Sequence, residues 1–229
     1  MKYNVILFDA DNTLFDFEKS ESFAFRNTML EFNMDYDENY HLKTFKEVNS
    51  IVWKEFEEGL ITQERLRVER FRRFAKKLNT LFDAEGFSSS YSKHLAGASY
   101  LYDESIGLVE ELHKNYRLAI ITNGLTDIQN IRIKKSIIGK YFEDIIISEE
   151  VQVAKPNPKI FELALYNLKH TDKKSVLMVG DSLSSDIQGG INFGVDTCWF
   201  NPNKLMNNTG IKPTYEISSL MELKTILEK

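Results

Sequence analysis

The chain has 229 residues, of which 42% are hydrophobic and 12% aromatic, with a formal net charge of −5. That is enough apolar material for one large domain or a core with a smaller appendage, and the acidic balance argues against a nucleic-acid polymer or an anionic membrane as partner. The apolar runs are too short to span a bilayer, and the opening "MKYNVILFD" lacks the h-region and cleavage site of a signal peptide, so a soluble, cytoplasmic protein with no membrane partner is expected.

In chain order, the first element covers residues 3–9. Val5, Ile6, Leu7 and Phe8 form a run suited to a strand buried on both faces, and two carboxylates follow at Asp9 and Asp11. Acids this close repel, and a bound cation is the simplest means of tolerating them. The next segment has another texture. "ESFAFRNTMLEF", "YHLKTFKEVNSIVWKEFEEG" and "TQERLRVERFRRFAKKL" carry apolar residues at helical spacing, and no proline occurs before Pro156. About four helices are expected, with Gly59 as a helix stop and Thr62 as the next N-cap. The "SSS" at 88–90 reads as a turn.

From residue 103 onward, amphipathic stretches (103–115, 125–137, 158–169, 184–193) alternate with apolar runs (117–122, 144–148, 175–181, 195–200). Cys198, the lone cysteine, lies in the last of these and reads as a small core residue. Asn157 and Pro158 fit an N-cap followed by the first helical position. A short strand at "YEISS" precedes a final helix for which Ser219 and Glu222 fit a capping box. The alternation predicts a doubly wound parallel α/β sheet with an inserted helical domain. The core is expected at residues 1–16 and 101–229 and the insert at 17–100. "GGINFG" at 189–194 is no dinucleotide fingerprint, because it continues a predicted helix instead of following a strand.

Ligands of open α/β sheets bind beyond the carboxyl ends of the strands. Those ends carry Asp9 and Asp11, then Thr122, Asn123 and Gly124, then Lys155 in "VAKPNP", then Asp181 and Asp186 in "GDSLSSD". Taken singly, each has a plain structural reading: a helix cap, a strand threonine, a solvated lysine. Their convergence on one rim suits chemistry at phosphorus. A carboxylate nucleophile divides a difficult displacement into two steps, and a hard ion such as Mg²⁺ suits carboxylates and phosphate oxygens. Asp9 can be the nucleophile and Asp181 a further metal ligand. Asp11 can protonate the leaving oxygen and later deprotonate water, while Thr122 and Lys155 hold phosphoryl oxygens.

"DADNTL", "ITNG", "VAKPNPKIF" and "GDSLSSDIQGG" resemble the four motifs of the haloacid dehalogenase (HAD) superfamily, in order, across the whole sheet part. The resemblance implies a Rossmann-like core with a C1-type cap. It implies Asp9 as nucleophile, Asp11 as general acid/base, and Thr122, Asn123, Gly124 and Lys155 as substrate-binding. Mg²⁺ would be held by Asp9, Asp181 and the carbonyl of Asp11, with Asp186 behind them on Lys155 or a metal-bound water. Asp11 argues against the dehalogenase branch, whose leaving group needs no proton.

"ISEEVQVAKPNPKIF", "VLMVGDSLSSDIQGGINFG" and "TCWFN" are further similar to the intracellular pyrimidine 5′-nucleotidase branch. The implied substrate is a small phosphate ester, a nucleoside monophosphate. A phosphatase or mutase acting on sugar phosphates is the alternative. In the insert, Asn49 and Trp53 stand four residues apart on one helix face, where they can bind a base or fill the insert's own core. The arginines of "RLRVERFRR" alternate with glutamates and read as a solvated face. A phospho-accepting receiver domain is disfavoured because it is about half this length and lacks an insert, and a silent binding protein because no motif residue is missing. No sequence feature specifies an oligomeric state.

Overall fold

A computed structural model describes residues 2–228. Two compact units result: one takes the chain up to Phe17 and from Tyr100 onward, the other is Glu18–Ser99.

In the first unit, six strands among the described residues form one parallel sheet: β1 (Val5–Phe8), β2 (Arg117–Thr122), β3 (Asp144–Ile147), β4 (Val176–Gly180), β5 (Asp196–Phe200) and β6 (Tyr215–Ile217). Their spatial order is β3-β2-β1-β4-β5-β6. β1 lies inside the sheet because its four residues are apolar on both faces. Ile6 and Phe8 join one core cluster and Val5 and Leu7 the other. Each such side chain contributes ~1.5–3 kcal/mol by leaving water.

The helices are α1 (Phe17–Glu31), α2 (Lys43–Glu57), α3 (Gln63–Lys77), α4 (Ala84–Gly97), α5 (Asp103–Leu112), α6 (Thr126–Arg132), α7 (Ser148–Val151), α8 (Pro158–Asn167), α9 (Gln188–Phe193) and α10 (Glu222–Leu227). Leu108, Val109 and Leu112 of α5 and Leu223 and Leu227 of α10 cover one sheet face. Ile160, Phe161 and Ala164 of α8 with Phe193 of α9 cover the other. Cys198 is buried in the first cluster, and burial pushes its thiol up to about 12. α6 is shorter than the expected 125–137, because the Ser136 hydroxyl takes the Ile133 carbonyl at 2.7 Å and competes with the helix. Only half of the C-terminal capping box forms: Glu222 accepts from the Ser219 amide at 2.9 Å, whereas the Ser219 hydroxyl accepts from Met221 at 3.1 Å. Pro158 opens α8 behind Asn157, whose side chain accepts from the Lys159 amide at 3.0 Å.

In Glu18–Ser99, Phe25, Phe45, Phe71, Phe74, Phe87 and Tyr91 are buried, and Phe25 stacks on Phe45 with centroids 4.6 Å apart. Gly59 adopts φ +73°, and Thr62 caps α3 through the Arg65 amide.

Two expectations need correction in this unit. Residues 88–90 are no turn but lie inside α4, since Ser88 donates to the Arg67 carbonyl and Ser90 to Glu31, leaving neither hydroxyl to break the helix. The arginine run is not wholly a solvated face. Arg70 is buried, with its guanidinium over the rings of Phe71 and Tyr91, while Arg73 pairs with Glu55 and Glu69 at the partly exposed side. Asn49 is also buried: its amide donates to Glu21 at 2.9 Å and its carbonyl accepts from Arg70 at 3.4 Å. Trp53 packs with Val48, Val52, Leu66 and Phe56, which is the packing reading of that residue. Among the described residues no helix is long and apolar enough to cross a membrane.

Candidate active site at the carboxyl ends of β1, β2 and β4

The strand order reverses on either side of β1, so the crevice at its carboxyl end is the topological switch point. Phe8 is level with Ile120 of β2 and Val179 of β4. The next residue of each chain segment therefore brings Asp9 beside Ile121 and Gly180. Asp9 is 7% exposed and its amide donates to the Val179 carbonyl. One carboxylate oxygen, Oδ1, accepts from Lys155 Nζ at 2.5 Å, and the other accepts from the Thr13 hydroxyl at 3.3 Å.

Lys155 is 1% exposed, and its ammonium spends three N–H groups on Asp9, Asp186 (2.7 Å) and the Ile121 carbonyl (2.6 Å). Burial alone would lower its pKa, but the carboxylates of Asp186 and Asp9 outweigh burial and hold it above the ordinary lysine range. Its backbone is held as firmly. Asn123 Nδ2 donates to the Lys155 carbonyl at 2.9 Å, and Asn123 Oδ1 accepts from the Lys155 amide at 2.8 Å. The peptide between Lys155 and Pro156 is cis.

Asp186 reaches this point because the segment Leu183–Ile187 winds as a π-helical turn behind Ser182. Its Oδ2 accepts from the Ser182 amide at 2.9 Å. Residue 180 must be glycine, since a Cβ there would sit 2.2 Å from the Asp186 carboxylate. Asp181 is half-buried, with its carbonyl taken by the Trp199 indole at 2.8 Å and Oδ1 at 3.5 Å from the Thr13 hydroxyl.

Carboxylate oxygens of Asp9, Asp181 and Asp186 lie within 4.8 Å of one another. Lys155 pairs with two of the three acids, Asp9 and Asp186, and leaves Asp181 without it. Burial pushes Asp9 up to about 7, with Lys155 opposing and Asp186 adding to the rise. Lys155 by itself would pull Asp9 the other way, but one ammonium shared between buried acids does not offset desolvation. Asp181 is raised well above the usual carboxylate range by burial and by Asp9 and Asp186. Buried oxygen donors carrying surplus negative charge fit a hard divalent cation.

Asp11 is managed separately. Arg132 donates to its Oδ1 at 2.7 Å and Gln129 to its Oδ2 at 2.8 Å. The adjacent acids therefore do not depend on a bound cation alone, as the sequence reading supposed: the protein supplies Lys155 to Asp9 and Arg132 to Asp11. Thr122 is buried at the end of β2, and its hydroxyl accepts from Gln129 at 3.1 Å. Gly124 follows, with its amide on the Ser148 hydroxyl and no room for a Cβ, which would meet the Gln129 side chain at 2.7 Å.

The structure thus brings Asp9, Lys155, Asp181 and Asp186 into one cluster and Asp11 and Thr122 into a neighbouring one joined by Gln129. Thr13, Gln129 and Arg132 were not singled out from the sequence. A signal existed for the last two, because they follow the buried Leu125 and Ile128 by four residues each and so share the helix face that turns inward.

Residues 3–194 match the family model for haloacid dehalogenase-like hydrolases. The chain is 37% identical to pyrimidine 5′-nucleotidase YjjG of Escherichia coli, covering 100% of both proteins. It is 34% identical to pyrimidine 5′-nucleotidase PynA of Streptococcus pneumoniae, covering 100% of this chain and 97% of that protein. Among solved structures, the HAD-hydrolase YfnB of Bacillus subtilis, crystallised with magnesium, superposes with a TM-score of 0.94 at 32% identity over 100% of both chains.

Proposed function

Because the chain belongs to the haloacid dehalogenase-like hydrolases, we propose that it is a magnesium-dependent phosphomonoester hydrolase that forms an aspartyl-phosphate on Asp9 and acts on pyrimidine nucleoside 5′-monophosphates. The observation that carries the chemistry is the pairing at the end of β1. One buried carboxylate, Asp9, is aligned by Lys155 and Thr13, and a second, Asp11, stands two residues on with cationic and amide partners of its own. A dehalogenase has no use for the second acid; a phosphatase needs it twice.

In the first step the Asp9 carboxylate attacks phosphorus, the bond from phosphorus to the ester oxygen breaks, and Asp11 gives that oxygen its proton. In the second, water attacks the phosphorus of phospho-Asp9, Asp11 takes its proton, and phosphate leaves with Asp9 regenerated. Thr122, the Asn123 backbone and Gly124 hold the phosphoryl oxygens through both steps, and Lys155 joins them by turning its Asp9 N–H to a phosphoryl oxygen when substrate is bound. Asp9, Asp181 and the Asp11 carbonyl would hold Mg²⁺, which supplies charge neutralisation between phosphate and carboxylate. Asp186, occupied by Lys155 and the Ser182 amide, holds the lysine.

The nucleotide preference is supported by YjjG and PynA, both matched over their full length or nearly so. Residues at the strand ends address the phosphoryl group and cannot tell one ester from another, so preference must come from other parts of the chain. A phosphate-release screen over nucleoside monophosphates and sugar phosphates tests both levels. Pyrimidine nucleotides should win, by about 10–200-fold per distinguishing small group. A panel in which sugar phosphates win would overturn the nucleotidase reading and leave the phosphatase chemistry standing.

A further inference from the structure

Arg132 carries a full charge on a side chain with no exposure, over the rings of Phe15 and Phe17 at 5.7 and 5.5 Å. A buried ion pair is weak support for stability, since apolar residues of similar volume do as well or better. The arrangement has another property. Arg132 Nη1 donates both to Asp11 Oδ1 and, at 3.0 Å, to Gln129 Oε1. The Gln129 amide, thus turned, donates to Asp11 Oδ2 and to the Thr122 hydroxyl oxygen.

We propose that Gln129 and Arg132 are positioning residues that hold the Asp11 carboxylate and the Thr122 hydroxyl as one preoriented unit for proton transfer and phosphoryl binding; this rests on the phosphatase reading above. The chemistry follows from donor and acceptor counting. Each carboxylate oxygen has two acceptor sites, so one bond from α6 to each leaves a site on each for a proton or a water. A hydroxyl that already accepts from an amide keeps its own proton for another acceptor, and a phosphoryl oxygen is such an acceptor. Both groups are then set by one helix turn before substrate arrives, which saves reorganisation at the moment of reaction.

The consequence is a leaving-group dependence that a merely structural role would not produce. The constant kcat/KM reports steps up to departure of the alcohol, where an alkoxide needs the Asp11 proton and a nitrophenolate does not. Arg132→Met should lower kcat/KM for a nucleoside 5′-monophosphate by about 100-fold, within the range for general acid catalysis, and for p-nitrophenyl phosphate by less than about 5-fold. Arg132→Lys, which keeps charge without the planar fork, should recover part of the loss on the nucleotide. In an Asp11→Asn background, Arg132→Met should add no further leaving-group dependence.

Circular dichroism and thermal melting accompany each variant, and Arg132→Gln carries the same comparison if Arg132→Met does not fold. Equal losses on both substrates in a folded variant overturn the clamp while the wild-type phosphatase stands. A wild-type enzyme that releases phosphate from no monoester overturns the phosphatase reading and the clamp with it.

Discussion

The side-chain amide of Asn123 bonds both backbone groups of Lys155, donating to its carbonyl at 2.9 Å and accepting from its amide at 2.8 Å. The end of β2 is thereby tied to the loop between α7 and α8, and the lysine is aimed at Asp9 from a backbone that cannot slide. Asn123→Ala removes both bonds and leaves two backbone groups to find other partners, at about 1–3 kcal/mol for a buried group. Thermal denaturation should register that loss. A misplacement of Lys155 by about 1 Å should cost on the order of 100-fold in kcat/KM. Unchanged kinetics in Asn123→Ala would show that Lys155 is positioned without it.

Asp9→Asn should abolish phosphate release while the far-UV spectrum stays that of the native fold. The amide is close in shape but is neither a nucleophile at phosphorus nor a charged metal ligand. Lys155 retains Asp186 and the Ile121 carbonyl in this variant, so the ammonium is not stranded. Measurable turnover after removal of contaminating wild-type enzyme would exclude Asp9 as nucleophile.

Metal removal should be equally decisive. Three clustered carboxylates, only two of them paired with Lys155, favour a hard cation, so excess chelator should stop turnover and Mg²⁺ should restore it. The same ion should raise the melting temperature, since it binds the folded cluster and not the unfolded chain. Ca²⁺ should inhibit, because its looser shell lets a carboxylate bind through both oxygens and removes the free nucleophilic one. Full activity in chelator would remove the metal from the mechanism.

The helical insert offers a pH prediction. Glu21 is buried against the Asn49 amide, and burial pushes its carboxyl up to about 7, with Lys46 and Arg70 opposing the rise. A carboxyl whose folded pKa is raised favours the fold while protonated. Its contribution is complete below the ordinary value of 4.5 and is lost as pH climbs to about 7. The linked free energy is on the order of 3 kcal/mol. Glu21→Gln keeps an oxygen for Asn49 and has no proton to lose. It should flatten stability between pH 5 and 7, to about that extent, and be the more stable protein above pH 7. Urea denaturation of both proteins across this range checks it, and parallel curves would show that Glu21 does not titrate there.

How far these residues could be read in advance depends on which interactions are local. β1 was legible because four apolar residues in a row require burial on both faces, and a parallel sheet covered by helices is the arrangement that supplies it. Asp9, Thr122 and Asp181 follow from that, since they stand at or just beyond strand ends and such ends converge on one rim. Gly59 and Thr62 were legible for a similar reason: a left-handed stop and a hydroxyl cap act on their own backbone. What only the tertiary structure decided is which charge answers which. Lys155 is 146 positions from Asp9, and Arg132 is 121 positions from Asp11. No spacing rule links them, and an arginine in an amphipathic stretch looks the same whether it faces water or a buried acid. The serines at 88–90 and Arg70 were misread for that reason, because their partners Arg67, Glu31 and Asn49 come from other helices. Periodicity reports which side of a helix turns inward, whereas a buried polar group is stable only if a distant partner meets it, and the folded chain alone brings the two together.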